Sequence, residues 1–173
     1  MRGGGAVRTR PIDGRLTQVL VDASPDLLAY LQRRVGFDDA PDLLGETMVV
    51  AWRRVADLPD DPERARMWLF GIARGTLLNH ARGERRRWAL ADRIRGHATS
   101  DAASPAADEG AEVRDAIARL DPDLAELVRL VHWERLTLVQ AAELLGIPDS
   151  TARGRYARAK EELRVALGIG VEV

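Results

Sequence analysis

Cysteine is absent from the 173 residues, which excludes a disulfide framework, thiolate zinc sites, cysteine nucleophiles and any thiol redox switch within the chain. Any thiol sensing would have to sit in a partner. No apolar run approaches the roughly 18 residues of a membrane span, and residues 1–15 (MRGGGAVRTRPIDGR) lack the apolar stretch of a signal peptide. A cytoplasmic protein without membrane insertion is expected. Catalytic chemistry is thin as well: His80, His97 and His132 are mutually distant, none pairs with a carboxylate at metal-ligand spacing, and no Gly-rich phosphate loop or nucleophile motif occurs. Neither an enzyme nor a bound metal or cofactor is expected. Excess charge of one sign is missing too, since 26 Lys+Arg face 27 Asp+Glu, and the whole-chain balance does not mark a nucleic-acid binder. That average conceals a segregation by segment. Residues 1–98 carry 17 basic and 13 acidic side chains, residues 99–123 carry 2 and 7, and residues 124–173 carry 7 of each.

What is present is apolar material, 46% of the chain, enough for one medium domain or two small ones. Residues 1–15, with Gly3-Gly4-Gly5 and scattered Arg, cannot bury enough to offset their backbone entropy and are expected to be a disordered tail, with structure beginning near Leu16. Helix starts then recur with one chemistry, a capping side chain just before a first-turn proline: Ser24-Pro25, Asp61-Pro62 and Asp121-Pro122, with Asp39-Ala40-Pro41 as a looser case. Apolar residues at i, i+3, i+4 and i+7 spacing occur in Leu69, Ile72, Ala73, Thr76 and in Leu124, Leu127, Val128, Val131, and no segment alternates as a strand would. The fold is predicted to be all-α. Between Gly96 and Gly110 small and acidic residues run without apolar period, the composition of a flexible acidic linker. Two small helical domains, residues 16–95 and 111–168, would flank it.

In the second domain, Thr137-Leu-Val-Gln140 fits a capping box that opens a helix through Ala141, Ala142, Leu144 and Leu145 to Gly146, and Pro148-Asp149-Ser150-Thr151 starts another. Two helices about a short Gly-containing turn have the geometry of a DNA-binding helix-turn-helix. On the second helix Ala152, Tyr156, Ala159 and Leu163 share one stripe, leaving Arg153, Arg155, Arg158 and Lys160 on the remaining arc. Ser150 and Thr151 can offer hydroxyls and free amides to a phosphate, and Arg153 stands where a guanidinium could fork onto guanine. The competing reading is a helical hairpin with solvated arginines. In the first domain, residues 66–87 form a helix pattern ending in an Arg cluster, with six Arg against Glu84 and Asp92 between Arg82 and Arg95. Basic charge beside aromatic rings suits single-stranded nucleic acid, whereas Trp68 and Phe70 as core residues would leave the Arg run a solvated helix end.

The segment from Asp42 to Trp52 (DLLGETMVVAW), followed by Trp68-Leu-Phe-Gly-Ile-Ala-Arg74 and the basic stretch, resembles the second conserved region of sigma factors. The segment from Leu136 to Lys160 resembles their fourth. With these two regions in this order, the chain resembles an extracytoplasmic-function (ECF) sigma factor of bacterial RNA polymerase, of the sigma-70 family. The resemblance implies that Asp42, Leu44, Glu46 and Trp52 lie on a helix that docks on the clamp helices of the polymerase largest subunit, with core packing as the other reading of Trp52. It implies that Trp68, Arg74, Asn79, Arg82 and a Gly83–Arg87 loop, including Arg85, Arg86 and Arg87, open the minus-10 element, and that Ser150, Thr151, Arg153, Arg155, Arg158 and Lys160 serve the minus-35 element. Gly45 and Gly75 depart from the family pattern, which has Gln and Asn there. Asp101, Asp108 and Glu109 give the linker the acidity of the family's connector toward the RNA channel, a plain spacer being the alternative. Core RNA polymerase and promoter DNA are the expected partners, and an anti-sigma protein is a candidate third. A helix-turn-helix regulator binding duplex DNA as a dimer is the rival function.

Overall fold

The computed structural model describes the backbone of residues 11–95 and 110–168. Most of the expected tail and linker, including Asp101, Asp108 and Glu109, lies outside the described residues. Among those described there are six α-helices, one 3-10 turn and no strand. They form two compact units that divide between Ile94 and Arg95.

In the first unit, helix α1 (Pro11–Arg53) is broken by Gly36 at φ 84° and ψ 178°, a conformation open essentially to glycine alone. The helix begins at Pro11, ahead of the expected Leu16. Ser24-Pro25 does not start a helix: Pro25 lies inside α1, and the Ser24 hydroxyl donates back to the Leu20 carbonyl. The reason is visible in the buried stripe Leu16, Leu20, Ala23, Leu27, Tyr30 and Leu31, which keeps its helical phase straight through the proline. A common core face outweighs the loss of one backbone hydrogen bond, a defect worth about 3 kcal/mol. Beyond Gly36 the stripe resumes as Ala40, Leu43, Thr47 and Ala51, and Pro41, like Pro25, lies inside the helix, so Asp39-Ala40-Pro41 does not start a helix either; the common buried face again outweighs one lost hydrogen bond.

A 3-10 turn (Val55–Asp57) leads to helix α2 (Pro62–Arg95). Asp61 caps it, accepting from the Arg64 amide at 2.9 Å. Leu69, Ile72, Ala73 and Thr76 are all buried, as their spacing predicts, and Phe70 meets Tyr30 edge to face at 5.4 Å. Buried Thr47 and Thr76 satisfy their hydroxyls on the carbonyls of Leu43 and Ile72 one turn back. His80 Nε2 lies 3.8 Å from both Asp39 and Glu84, joining α2 to the part of α1 beyond the break.

The second unit comprises α3 (Ala111–Ala118), α4 (Pro122–His132), α5 (Leu138–Leu145) and α6 (Asp149–Ala166). Asp121 caps α4 through the Asp123 amide at 3.0 Å. Ile117, Leu120, Leu124, Ala125, Val128 and Ala159 form its core, with Trp133 and Leu163 packed against them.

Candidate nucleic-acid interface

The helix-turn-helix is assembled by local chemistry. Thr137 Oγ1 accepts from the Gln140 amide at 3.2 Å while Gln140 Oε1 accepts from the Thr137 amide at 2.8 Å, a reciprocal capping box. Helix α5 ends at Gly146, whose φ of 67° is left-handed. The Ile147 amide then bonds the Ala142 carbonyl at 3.0 Å, and Pro148 opens α6 in an extended conformation. Ala142 and Ala152 are both fully buried, so the two helices approach without side chains between them. Tyr156 and Leu163 are half-buried and Ala159 is buried, which places the expected stripe inward.

The opposite arc of α6 carries its cations unequally. Arg155 pairs with Asp123 at the start of α4 at 2.9 Å, and Arg158 pairs with Glu162 at 2.7 Å. Lys160 sits over the Tyr156 ring at 5.5 Å, whose hydroxyl meets His132 Nε2 at 2.8 Å. Arg164 hydrogen-bonds Glu161 at 2.8 Å; that bond, and the opposite charge each presents to the other, lower the Glu161 pKa from the ordinary carboxylate value and raise that of Arg164. In the C-terminal half of α6 Arg158 and Arg164 are thus offset by Glu162 and Glu161, and Lys160 is left without a carboxylate among the described residues. Arg153 is exposed and has no ion-pair partner among the described residues. Ser150 is exposed and Thr151 half-buried in the first turn, where no side chain caps the helix. Gly154 faces open space, since a Cβ there would meet nothing within 4 Å. It lines a polar notch with Asp121, Asp123 and Arg158.

In the first unit, the Gly83–Arg87 segment is not a loop. Helix α2 continues through it to Arg95, because Gly83 is flanked by Arg, Glu, Ala and Leu, all good helix formers, which outweigh one glycine. Helical spacing sets exposed Leu78 and Arg85 on the side opposite the buried stripe, with half-buried Arg74 and Ala81 on its flank. Asn79, Arg82 and Arg86 form the adjacent row, with Arg82 Nη2 donating to Asn79 Oδ1 at 2.6 Å. The Nε groups of Arg82, Arg85 and Arg86 reach carbonyls four residues back, which folds each side chain along the helix axis. Arg87 turns to Glu84 at 3.8 Å. Trp68 stands apart from this row: it is half-buried, and its indole N–H is enclosed with no hydrogen-bond partner. The open aromatic ring of the helix is Trp88, 58% exposed, which sequence reasoning passed over; it lies five turns on from buried Phe70, so helical period alone does not mark it as exposed.

A second surface lies on α1 beyond Gly36. Asp42 and Glu46 are exposed one turn apart, Gly45 lies between them facing open space, and Leu44 is half-buried on the flank. Trp52 is 49% exposed, so it is not a core residue. It lines an open apolar groove of about 450 Å³ with Leu20, Val21, Met48 and Val49.

Residues 20–87 match the family model Sigma-70 region 2, and residues 110–163 match Sigma-70, region 4. The ECF RNA polymerase sigma factor SigC of Mycobacterium tuberculosis is 30% identical over 156 residues, 87% of this chain and 83% of its own. SigL of the same organism is 27% identical over 132 residues, 74% of each chain. Among solved structures, the sigma factor RpoE of Bartonella quintana, in complex with the anti-sigma factor NepR, superposes with a TM-score of 0.69 at 22% identity over 92% of this chain and 99% of its own. CnrH, in complex with the cytosolic domain of CnrY, gives 0.59 at 23% identity over 89% and 88%. Two units matching the two sigma regions in order, one of them a capped helix-turn-helix and the other a cationic helix face, place this chain in the sigma-70 family as an ECF sigma factor that directs promoter-specific transcription initiation by RNA polymerase.

Proposed function

We propose that the chain docks on the clamp helices of the polymerase largest subunit through the Asp42, Leu44, Glu46 and Trp52 surface of α1. The exposed side of α2 (Arg74, Asn79, Arg82, Arg85 and Arg86, with Arg87 beside it and Trp68 supporting it) then handles the minus-10 element, while Ser150, Thr151, Arg153 and the other cations of α6 serve the minus-35 element. The chain performs no chemistry itself; bond formation belongs to the polymerase. The observation that carries the docking assignment is Trp52, a large ring left 49% exposed on the helix that also exposes Asp42 and Glu46. Such a group gains its burial only on a partner. The same apolar groove suits an anti-sigma protein, a reading supported by the anti-sigma factor NepR bound to RpoE.

The test is competition for core polymerase between the wild-type chain and the Trp52→Ala and Glu46→Lys variants. Both variants should keep the wild-type melting temperature within about 2 °C, since neither residue is buried, and both should lose core binding by tenfold or more. Undiminished core binding by both variants would move the docking surface elsewhere.

A further inference from the structure

The expectation that no histidine meets a carboxylate at ligand spacing fails at His80. Its side chain on α2 is 20% exposed, and Nε2 is enclosed without a hydrogen-bond partner among the described residues. Buried ring nitrogens are ordinarily satisfied, so an orphaned one calls for a physical reason. Two carboxylates converge on this same atom. Glu84 Oε2, from four residues further along α2, and Asp39 Oδ2, from α1 beyond Gly36, each stand 3.8 Å from it. At that separation neither accepts a hydrogen bond.

One imidazole nitrogen and two carboxylate oxygens, drawn from two helices, are donors that suit a divalent first-row transition metal, with bonds of about 2.0–2.2 Å. Hard cations such as Mg²⁺ prefer oxygen alone. The edge of a tetrahedron with such bonds is about 3.3 Å, so these donors stand about half an ångström too wide and do not close around an ion as they are. Closing the gap falls to the carboxylates, which at 56% and 47% exposed have room to turn. Glu84 would give up only its 3.8 Å approach to Arg87, a pair open to water and worth little.

We propose that His80, Asp39 and Glu84 form a binding site for a divalent transition metal such as Zn²⁺, which clasps α1 beyond Gly36 to α2. Three protein ligands leave the remaining coordination to water, so the site exchanges its ion rather than sealing it in. The ion fixes the part of α1 that bears Asp42, Glu46 and Trp52 against α2, across the break at Gly36. The clasp stands independently of where polymerase or DNA binds.

The experiment uses the full chain, stripped with a chelator and dialysed, then titrated with Zn²⁺ by calorimetry and with Co²⁺ by visible absorption. The wild-type chain should bind Zn²⁺, show d–d bands with Co²⁺ that Zn²⁺ displaces, and unfold several degrees higher at a hundredfold excess of Zn²⁺ over Kd. Asp39→Asn and Glu84→Gln should each weaken Zn²⁺ binding by about tenfold or more, since a direct ligand is worth at least as much as the groups that orient one. Without metal both should unfold within about 2 °C of wild type, because neither residue is buried. His80→Gln should abolish the Co²⁺ bands, and the two surface variants keep the test decisive should it fail to fold. Zn²⁺ binding undiminished by Asp39→Asn and Glu84→Gln would mark an adventitious ion only and overturn the proposal. So would failure of the wild-type chain to bind Zn²⁺, or an equal rise in the unfolding midpoint with Mg²⁺, which would mean that the carboxylates act without the imidazole.

Discussion

Replacing Asp123 by Asn should turn Arg155 from an internal strut into a DNA contact. The carboxylate holds the Arg155 guanidinium at 2.9 Å, in a pair whose side chains are 36% and 64% exposed. A pair that open to water contributes about 0–1 kcal/mol, and the negative charge in the first turn of α4 adds a few tenths through the helix dipole. The stability cost of Asp123→Asn is therefore at most about 1 kcal/mol. Its effect on DNA is larger in kind. Arg155 lies one turn before Arg158 on the cationic arc of α6, and once released it can neutralise one further phosphate. The slope of log K against log salt should then steepen by about 0.9. Between 50 and 200 mM salt that is an extra loss of about 3.5-fold, with tighter binding at the low end and no change in the ranking of sequences. Arg153→Ala should act differently, since Arg153 has no internal partner to lose. Its removal should leave stability unchanged and relax discrimination at one base pair by about 1–3 kcal/mol. The assay is transcription and holoenzyme binding on a promoter library randomised in the minus-35 element, run across a salt series for wild type, Asp123→Asn, Arg155→Ala, the double variant and Arg153→Ala. The double variant should return to the wild-type slope. The reasoning fails if Asp123→Asn leaves the slope unchanged, or if Arg155→Ala alone lowers it by a full unit.

Gly36→Ala should destabilise the first unit by about 1–3 kcal/mol, because φ 84° with ψ 178° excludes a Cβ; thermal unfolding should show a drop of several degrees or more, and an unchanged midpoint would contradict the break in α1. Gly154→Ala should stabilise α6 by up to about 1 kcal/mol, since the new methyl meets nothing within 4 Å. If DNA backbone approaches that spot, the same change weakens minus-35 binding, and equal affinity would show that it does not. Replacing Arg85, Arg86 and Arg87 together by Ala should leave core binding intact and impair opening, read as lower permanganate reactivity of promoter thymines; wild-type reactivity would return this run to a solvated helix face.

Where the local chemistry was self-contained, the sequence was legible. The Thr137 and Gln140 box, the left-handed turn at Gly146 and the Asp61 and Asp121 caps depend on residues within four positions of one another, and each forms as read. The inward stripe of α6 follows from period alone. Ser24-Pro25 misled because a proline was weighed without the core stripe on either side of it, and Leu20, Ala23 and Leu27 bury in unbroken phase across it. The Gly83–Arg87 loop came from the family resemblance, whereas the residue pattern itself read as helix through Arg87, and one glycine in a run of helix formers does not break it. The division of the α6 cations was hidden, since Asp123 lies 32 positions before Arg155 and only tertiary packing brings them together. His80 could have been paired with Glu84 by i, i+4 spacing, whereas its approach to Asp39 needed the fold.

The central claim is that this chain gives core RNA polymerase a promoter choice through two DNA-reading units. Run-off transcription on a pool randomised across both promoter elements, followed by sequencing of the transcripts and their templates, tests it most directly. With the chain present, active templates should share two motifs, upstream and downstream, at one fixed spacing, and core polymerase alone should select neither. Templates enriched for a palindromic duplex site, or transcription no more selective than that of core polymerase alone, would contradict the account.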